Sequence, residues 1–278
     1  MDAAAQGGPL NTADVREHFL RALAHLADAE PGVRAGALHV LDSLAVEHAD
    51  WRPRVLDVWC AHLRAPEPDE GRALALRLIA GHLRPGSAAY WGPMDVDLRG
   101  AHLHGADFAD CRFGTADFTG AVFTGITHFE RAAFLRTADF TGAAFEFMAR
   151  FDRAAFGGPA FFGRARFATI AWFPWARFAE AADFAEAAFG TAWFSGAHIA
   201  GEAGFRRAVF GGRAVFGTAS LGEADFTGAV FTGPAEFPGA TFAALTLDAR
   251  VRLVFAHDLP GAWRAAAPDG QPGRVLVA

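Results

Sequence analysis

From Val96 to Leu247 a large apolar residue recurs every five or six positions, and a small one stands two places before nearly every recurrence. Ala116–Gly125 reads Ala-Asp-Phe-Thr-Gly, Ala-Val-Phe-Thr-Gly, and Ala-Asp-Phe-Thr-Gly returns at Ala138. Of 29 central positions, 24 are Phe and the others are Leu98, Leu103, Ile199, Leu221 and Leu247. The place two before is Ala in 25 of the 29, with Val96, Cys111, Thr127 and Leu245 as exceptions. Steps of five run from Leu98 to Phe123, six and five then alternate to Phe189, and both lengths mix beyond.

A fivefold step never returns to one face of a helix, and a flat strand needs a period of two. A tight solenoid satisfies the pattern: each unit is one short side of a coil, with the central residue and the alanine both turned inward. Larger groups in the alanine place would overpack a narrow interior at about 1–3 kcal/mol each. Four units close a coil, so the stretch predicts about seven coils and a rod roughly 34 Å long at about 4.8 Å per stacked strand. Each six-residue step reads as one extra residue bulged at a corner, leaving the interior register intact.

The first third of the chain has a different period. Val15, Phe19, Leu23 and Leu26 recur at helical spacing, as do Leu38, Leu41 and Leu44, then Val55, Val58, Trp59 and Leu63, then Leu74, Leu76, Ile79 and Leu83. Pro31-Gly32 and Pro66–Asp69 break the pattern, and Asp50 is expected to cap the third of four short helices, with Pro53 in its first turn. The expected organisation is a small all-α domain over 1–90, a loose leader at 1–10 included, a mainly β solenoid over 91–247 and a tail over 248–278. An open coil end exposes unpaired strand edges, so the tail is expected to cap it or to supply a dimer contact, with a short strand over Arg274–Ala278.

Composition narrows the function classes. No run reaches the 18 or so apolar residues of a membrane span, and no basic-then-apolar leader is visible, so a cytoplasmic protein is expected. The net charge of -6 speaks against direct nucleic-acid binding. All 25 basic residues are Arg. Cys60 and Cys111 offer neither a disulfide framework nor metal-ligand spacing.

The repeating Ala-(Asp)-(Phe/Leu)-x-x unit resembles the pentapeptide-repeat family over more than half the chain. The stretch Gly32–Leu38 followed by Val55–Val58 resembles the leader of actinobacterial members. The resemblance implies a right-handed quadrilateral β-helix and a non-catalytic protein-binding role. One group in that family binds DNA gyrase, is similar to a B-DNA rod in size and charge, and protects against gyrase poisons. A topoisomerase inhibitor conferring antibiotic resistance is therefore one expectation, and a scaffold or regulatory adaptor is another.

Sorting the residue before each central position by fours builds outer columns. One side reads Asp97, Asp117, Asp139, Phe161, Asp183, Gly204 and Asp225. Its five aspartates either bond the backbone of their own corners or present an acidic stripe to a basic partner. A second side carries Trp172 and Trp193 with Trp175 alongside, as partner anchors or as groups packed on each other or under the helices. A third, with Val122, Ala144, Arg166, Ala188, Val209 and Val230, is mostly apolar and flat, suited to receive the helices or a second copy. Charge limits DNA mimicry. The repeats hold 15 acids and 12 Arg, a net of -3, whereas 34 Å of duplex carries roughly 20 charges.

Catalytic, metal and cofactor sites are not expected. His102-Leu103-His104 near Asp95 and Asp97 is a weak ligand pattern, and His18 and His25 share a helix face. Stacked carboxylates are expected to raise one another's pKa. The enzyme alternative would place a pocket where Trp91, His102 and His104 meet the helices.

Overall fold

The computed structural model describes residues 12–65, 71–246, 248–251, 263–266 and 274–277. The expected leader, the break at Pro66–Asp69, the central position Leu247 and much of the tail lie outside them. Four helices come first: α1 (Thr12–Leu26), α2 (Pro31–Glu47), α3 (Arg52–Arg64) and α4 (Gly71–Leu83). Three of them bury most of the stripe their period marked: Leu38, Leu41 and Leu44 on α2, Val55, Trp59 and Leu63 on α3, Leu76, Ile79 and Leu83 on α4, with Val58 and Leu74 half-buried. On α1 Val15 is buried while Phe19, Leu23 and Leu26 are half-buried. The expected Asp50 cap is not made. Ala49–Trp51 is a 3-10 turn running straight into α3, so Trp51 occupies the cap position, with no side-chain cap bond.

The chain then winds into a parallel β-solenoid of about seven coils, and strand pairing fixes its four sides. Asp97, Asp117, Asp139, Phe161, Asp183, Gly204 and Asp225 are successive register partners, as expected. So are Asp107, His128, Arg150, Trp172, Trp193, Val215 and Glu236. The chain visits the aspartate side, the apolar side, the aromatic side and a fourth side in turn. The aspartate and aromatic sides are therefore opposite one another.

Inside, the phenylalanines form four ring columns with no solvent exposure at most positions. Along a column rings stack nearly parallel at the coil spacing, as for Phe140–Phe162 (4.8 Å, 2°) and Phe156–Phe178 (4.4 Å, 0°). Between columns they meet edge-on, as for Phe140–Phe151 (5.4 Å, 88°). Both are geometries that the ring quadrupole favours.

The six-residue steps are confined to two of the four corners. Five-residue steps turn from the aspartate to the apolar side and from the aromatic to the fourth side. These corners are β-turns closed by bonds such as Ala121 N–H to Phe118 O (2.9 Å), and their third residue has positive φ, as in Gly120 (64°) and Gly142 (67°). Larger residues take that strained place in mid-rod: Arg153 (57°), Arg164 (59°), Trp175 (59°) and Thr218 (53°). The other two corners carry the six-residue steps together with some of five, such as Phe189–Phe194 and Leu221–Phe226. The register slips between Phe167 and Ile170 and between Ile199 and Glu202, where a six-residue corner lies beside a five-residue one. The extra residue is thus absorbed in a bulge while Ala171 still meets Ala192 and Ala203 still meets Ala224.

The helices close the first coil. Trp91 stacks on His82 (3.6 Å) and faces Trp59 (5.6 Å), while His82 joins Asp42 (2.6 Å) and the Ala89 carbonyl (2.6 Å). Arg64 pairs with Asp97 (3.0 Å), and Arg84 donates to Ala109 O (2.8 Å). The apolar side is consequently not covered by the helices, which sit at the rod's end, and Val209 stays 41% exposed. At the far end Asp248–Val251 pairs parallel with the last coil and antiparallel with Arg274–Val277, which also pairs with Trp263–Ala266. The strand expected at Arg274 is present.

Candidate protein-binding surfaces

On the aspartate side one carboxylate oxygen of each column aspartate is used by its own corner. Asp117, Asp139, Asp183 and Asp225 accept the N–H two residues ahead at 3.0, 2.8, 2.8 and 2.8 Å, and Asp97 does so at 3.3 Å. This is the Asx turn that a short acid favours. The ends of the column are then neutralised. Arg99 chelates Asp97 (2.9 Å to each oxygen) and reaches Asp117 (3.5 Å), and Arg206 pairs with Asp225. The expected rise in pKa is overturned there. The Arg99 guanidinium holds the Asp97 carboxyl below the usual range. Burial pushes Asp225 up, but hydrogen bonds from Thr227 and Arg206 outweigh it and hold that carboxyl low as well.

Mid-column differs. Asp139 has no ion pair among the described residues, and Asp183 senses Arg206 only at a distance. Between them Phe161 interrupts the acids, and a shallow concavity of about 290 Å³ opens beside Phe161, Asp183, Glu202 and Gly204. The bulged corner next to this side carries Glu180, Glu202 and Glu223, with Glu202 and Glu223 in register. Counting forward from the central residue hides the pairing of Glu202 with Glu223, which stand three after Ile199 and two after Leu221. Counting back from Ala203 and Ala224 puts both one place before, whereas Glu180 stands two before Ala182.

On the aromatic side Trp172 and Trp193 touch (5.2 Å, tilted 47°) and are half-buried. Arg213 lies over Trp193 (5.4 Å) while chelating Glu236 at 2.7 and 2.8 Å. Trp175 is not in ring contact with this pair. It stands on the next corner, 59% exposed, with its ring laid over Gly196 of the following coil. Below them a polar network closes the side: buried Glu130 accepts from Arg150 (2.7 Å) and His128 (2.9 Å), and Arg150 also meets Asp152 (3.3 Å).

At the helix–rod junction a groove of about 480 Å³ runs between α4 (Leu76, Arg77, Ala80) and His104, Gly105 and Asp107. Arg84–Asp107 (3.2 Å) and His104–Thr124 (3.0 Å) engage Arg84, Asp107 and His104 in its wall. Trp91 is committed to its stack with His82, and His102 points to solvent. No group of three or more potential metal ligands converges among the described residues. Both cysteines are buried thiols whose pKa burial pushes up to about 12. No described helix is long and apolar enough to cross a membrane.

Four-sided coils, inward Phe and Ala, and outward columns define a class of parallel β-solenoid. Residues 94–133 match the family model described as pentapeptide repeats (9 copies), and the same register runs on to Phe242. The chain thus carries pentapeptide repeats, which suggest a protein-interaction module. No curated protein and no solved structure matches it.

Proposed function

We propose that the protein is a non-catalytic rod that offers its outer sides to protein partners. The observation that carries this reading is the separation of roles along each strand. The interior positions are spent on Phe and Ala, while the outer ones form columns repeating at about 4.8 Å. A convex array of this kind suits surface recognition more than enclosure of a substrate.

For the aspartate side the partner we propose is a basic DNA-handling protein in the cytoplasm, DNA gyrase or a related topoisomerase, with protection against gyrase poisons as the consequence. Support comes from the mid-column acids with no ion pair among the described residues, Asp139 and Asp183, and from Glu180 and Glu223 beside them. A net of -3 over the repeats confines any resemblance to DNA to that stripe. The test is gyrase supercoiling with a gyrase poison, plus and minus the protein, alongside a gyrase pull-down. Protection by the wild type and its loss in Asp139→Asn/Asp183→Asn support the reading. No protection together with no pull-down overturns it.

A further inference from the structure

We propose that the opposite, aromatic side is a docking surface for an acidic protein segment with an apolar centre. The proposal rests on the reading of the chain as a binding rod, but it uses a different side and a partner of opposite charge. Its geometry is a belt around half of one coil: Ile170 at a corner, Trp172 on the side, Trp175 on the next corner. Exposed Phe147 (53%) and Ile126 (49%) extend the apolar surface on the coils below.

Two observations assign the partner. First, Trp175 is held at φ 59° on a corner that glycine occupies one coil later, at Gly196. A bulky residue is strained there, and with 59% of it exposed, fold stability gives little reason for its presence. Exposed tryptophan held rigidly is instead the preferred anchor of protein interfaces. Second, the apolar belt is ringed by cations. Arg166 precedes it on the apolar side, Arg177 follows it on the fourth side, and Arg153 lies one coil below Trp175 on the same corner. None of the three has an ion pair among the described residues, whereas Arg99, Arg131, Arg150, Arg164, Arg206 and Arg213 all do. Guanidinium groups without an ion pair among the described residues, set around an apolar centre, complement carboxylates flanking an aromatic or aliphatic residue. A nucleic-acid strand would need a continuous basic track, and this side instead ends in Asp107 and Glu236.

The experiment is binding of the full chain to a random Glu/Tyr copolymer, with polyglutamate and an oligothymidylate of matched charge as comparators, at low and high salt. The copolymer should bind more tightly than either comparator, and salt should weaken it. Trp175→Gly keeps a residue suited to the left-handed corner and should weaken copolymer binding by about tenfold or more, as loss of an interface anchor does. Arg153→Ser/Arg177→Ser should weaken binding and flatten its salt dependence, while the melting temperature stays near wild type. Asp139→Asn/Asp183→Asn should leave copolymer binding unchanged, which separates this outcome from that of the gyrase assay. The proposal is overturned if the wild type does not bind the copolymer at low salt. It is equally overturned if the Trp175 or arginine variants bind as well as wild type, or if the oligothymidylate binds more tightly than the copolymer.

Discussion

Phe161 and Phe162 are adjacent, yet the same change to aspartate should have opposite outcomes. Phe162 has no exposed surface and stacks between Phe140 (4.8 Å, 2°) and Phe184 (4.9 Å, 9°), with Phe151 and Phe173 edge-on at 5.6 and 5.5 Å. Truncating such a ring costs about 3–5 kcal/mol before any polar group is introduced. Burying an unbonded carboxyl adds at least about 1–3 kcal/mol. The sum approaches the whole stability of an ordinary domain, about 5–15 kcal/mol, so Phe162→Asp should not yield a folded rod. Phe161 faces outward in register with Asp139 and Asp183. Aspartate there can accept the Gly163 N–H as its neighbours accept theirs, a gain of about 0.5–1.5 kcal/mol. Against this stand two like charges one coil away, each worth about 0.8 kcal/mol at 5 Å in water. Phe161→Asp should therefore lie within about 1 kcal/mol of wild type, and salt should move it upward. Urea denaturation followed by far-UV circular dichroism, with gel filtration for compactness, measures both. A folded Phe162→Asp, or a Phe161→Asp that fails to fold, would mean the inside–outside register is off by one.

Two further outcomes follow from single groups. Thr127 replaces the usual alanine, is fully buried, and its hydroxyl has no partner among the described residues; Thr127→Val keeps the shape, removes a desolvated hydroxyl and should stabilise by about 1 kcal/mol or more in urea melts. Because Asp97 and Asp225 hold folded pKa values below their unfolded ones, the stability they lend is present above about pH 4 and is lost as pH falls through the folded values; Asp225→Asn should flatten the acid limb of melting temperature against pH, and an unchanged limb would refute the assignment.

Much of this architecture was legible because the interior repeats the same two residue types in phase. Leu98, Phe118, Phe140 and Phe162 name one column without any coordinates, and the aspartate column follows by stepping back one residue. The seat of the helices was not legible, since an apolar column such as Val122–Val230 looks like a docking face from composition alone. What decided it were long arginines, Arg64, Arg72 and Arg84, reaching first-coil carbonyls and carboxylates far away in sequence. Which charges are free was hidden for the same reason. Arg153 and Arg131 have equivalent places on one corner, but Asp110 lies within 2.6 Å of Arg131, and Arg153 has no such partner among the described residues. Pairing across coils depends on what is stacked one turn away, and mixed steps of five and six blur that distance in the sequence.

The same mixture makes a demanding test of the corners. At Phe189–Phe194 a five-residue step lies on the six-residue step Phe167–Phe173, and Gly190 is the residue that meets the bulge below. A Cβ at Gly190 would collide with the carbonyls of Ala168 and Thr169, so the short corner can settle on the long one only because a glycine is there. Deleting Thr169 turns the lower step into a five and moves the mismatch one coil down, onto Phe145–Phe151. Ala168 then takes the place that Gly190 had, and its methyl group meets the backbone of the bulge around Phe147. The single deletion should cost about 1–3 kcal/mol, the usual magnitude of overpacking. Adding Ala168→Gly should recover most of that loss, less the roughly 0.5–1 kcal/mol that a new glycine costs in the unfolded chain. Chemical denaturation of wild type, the deletion and the deletion with Ala168→Gly decides it. If the double variant is no more stable than the single one, steric fit between unequal corners is not what sets the register, and the bulge is held by something other than the glycine above it.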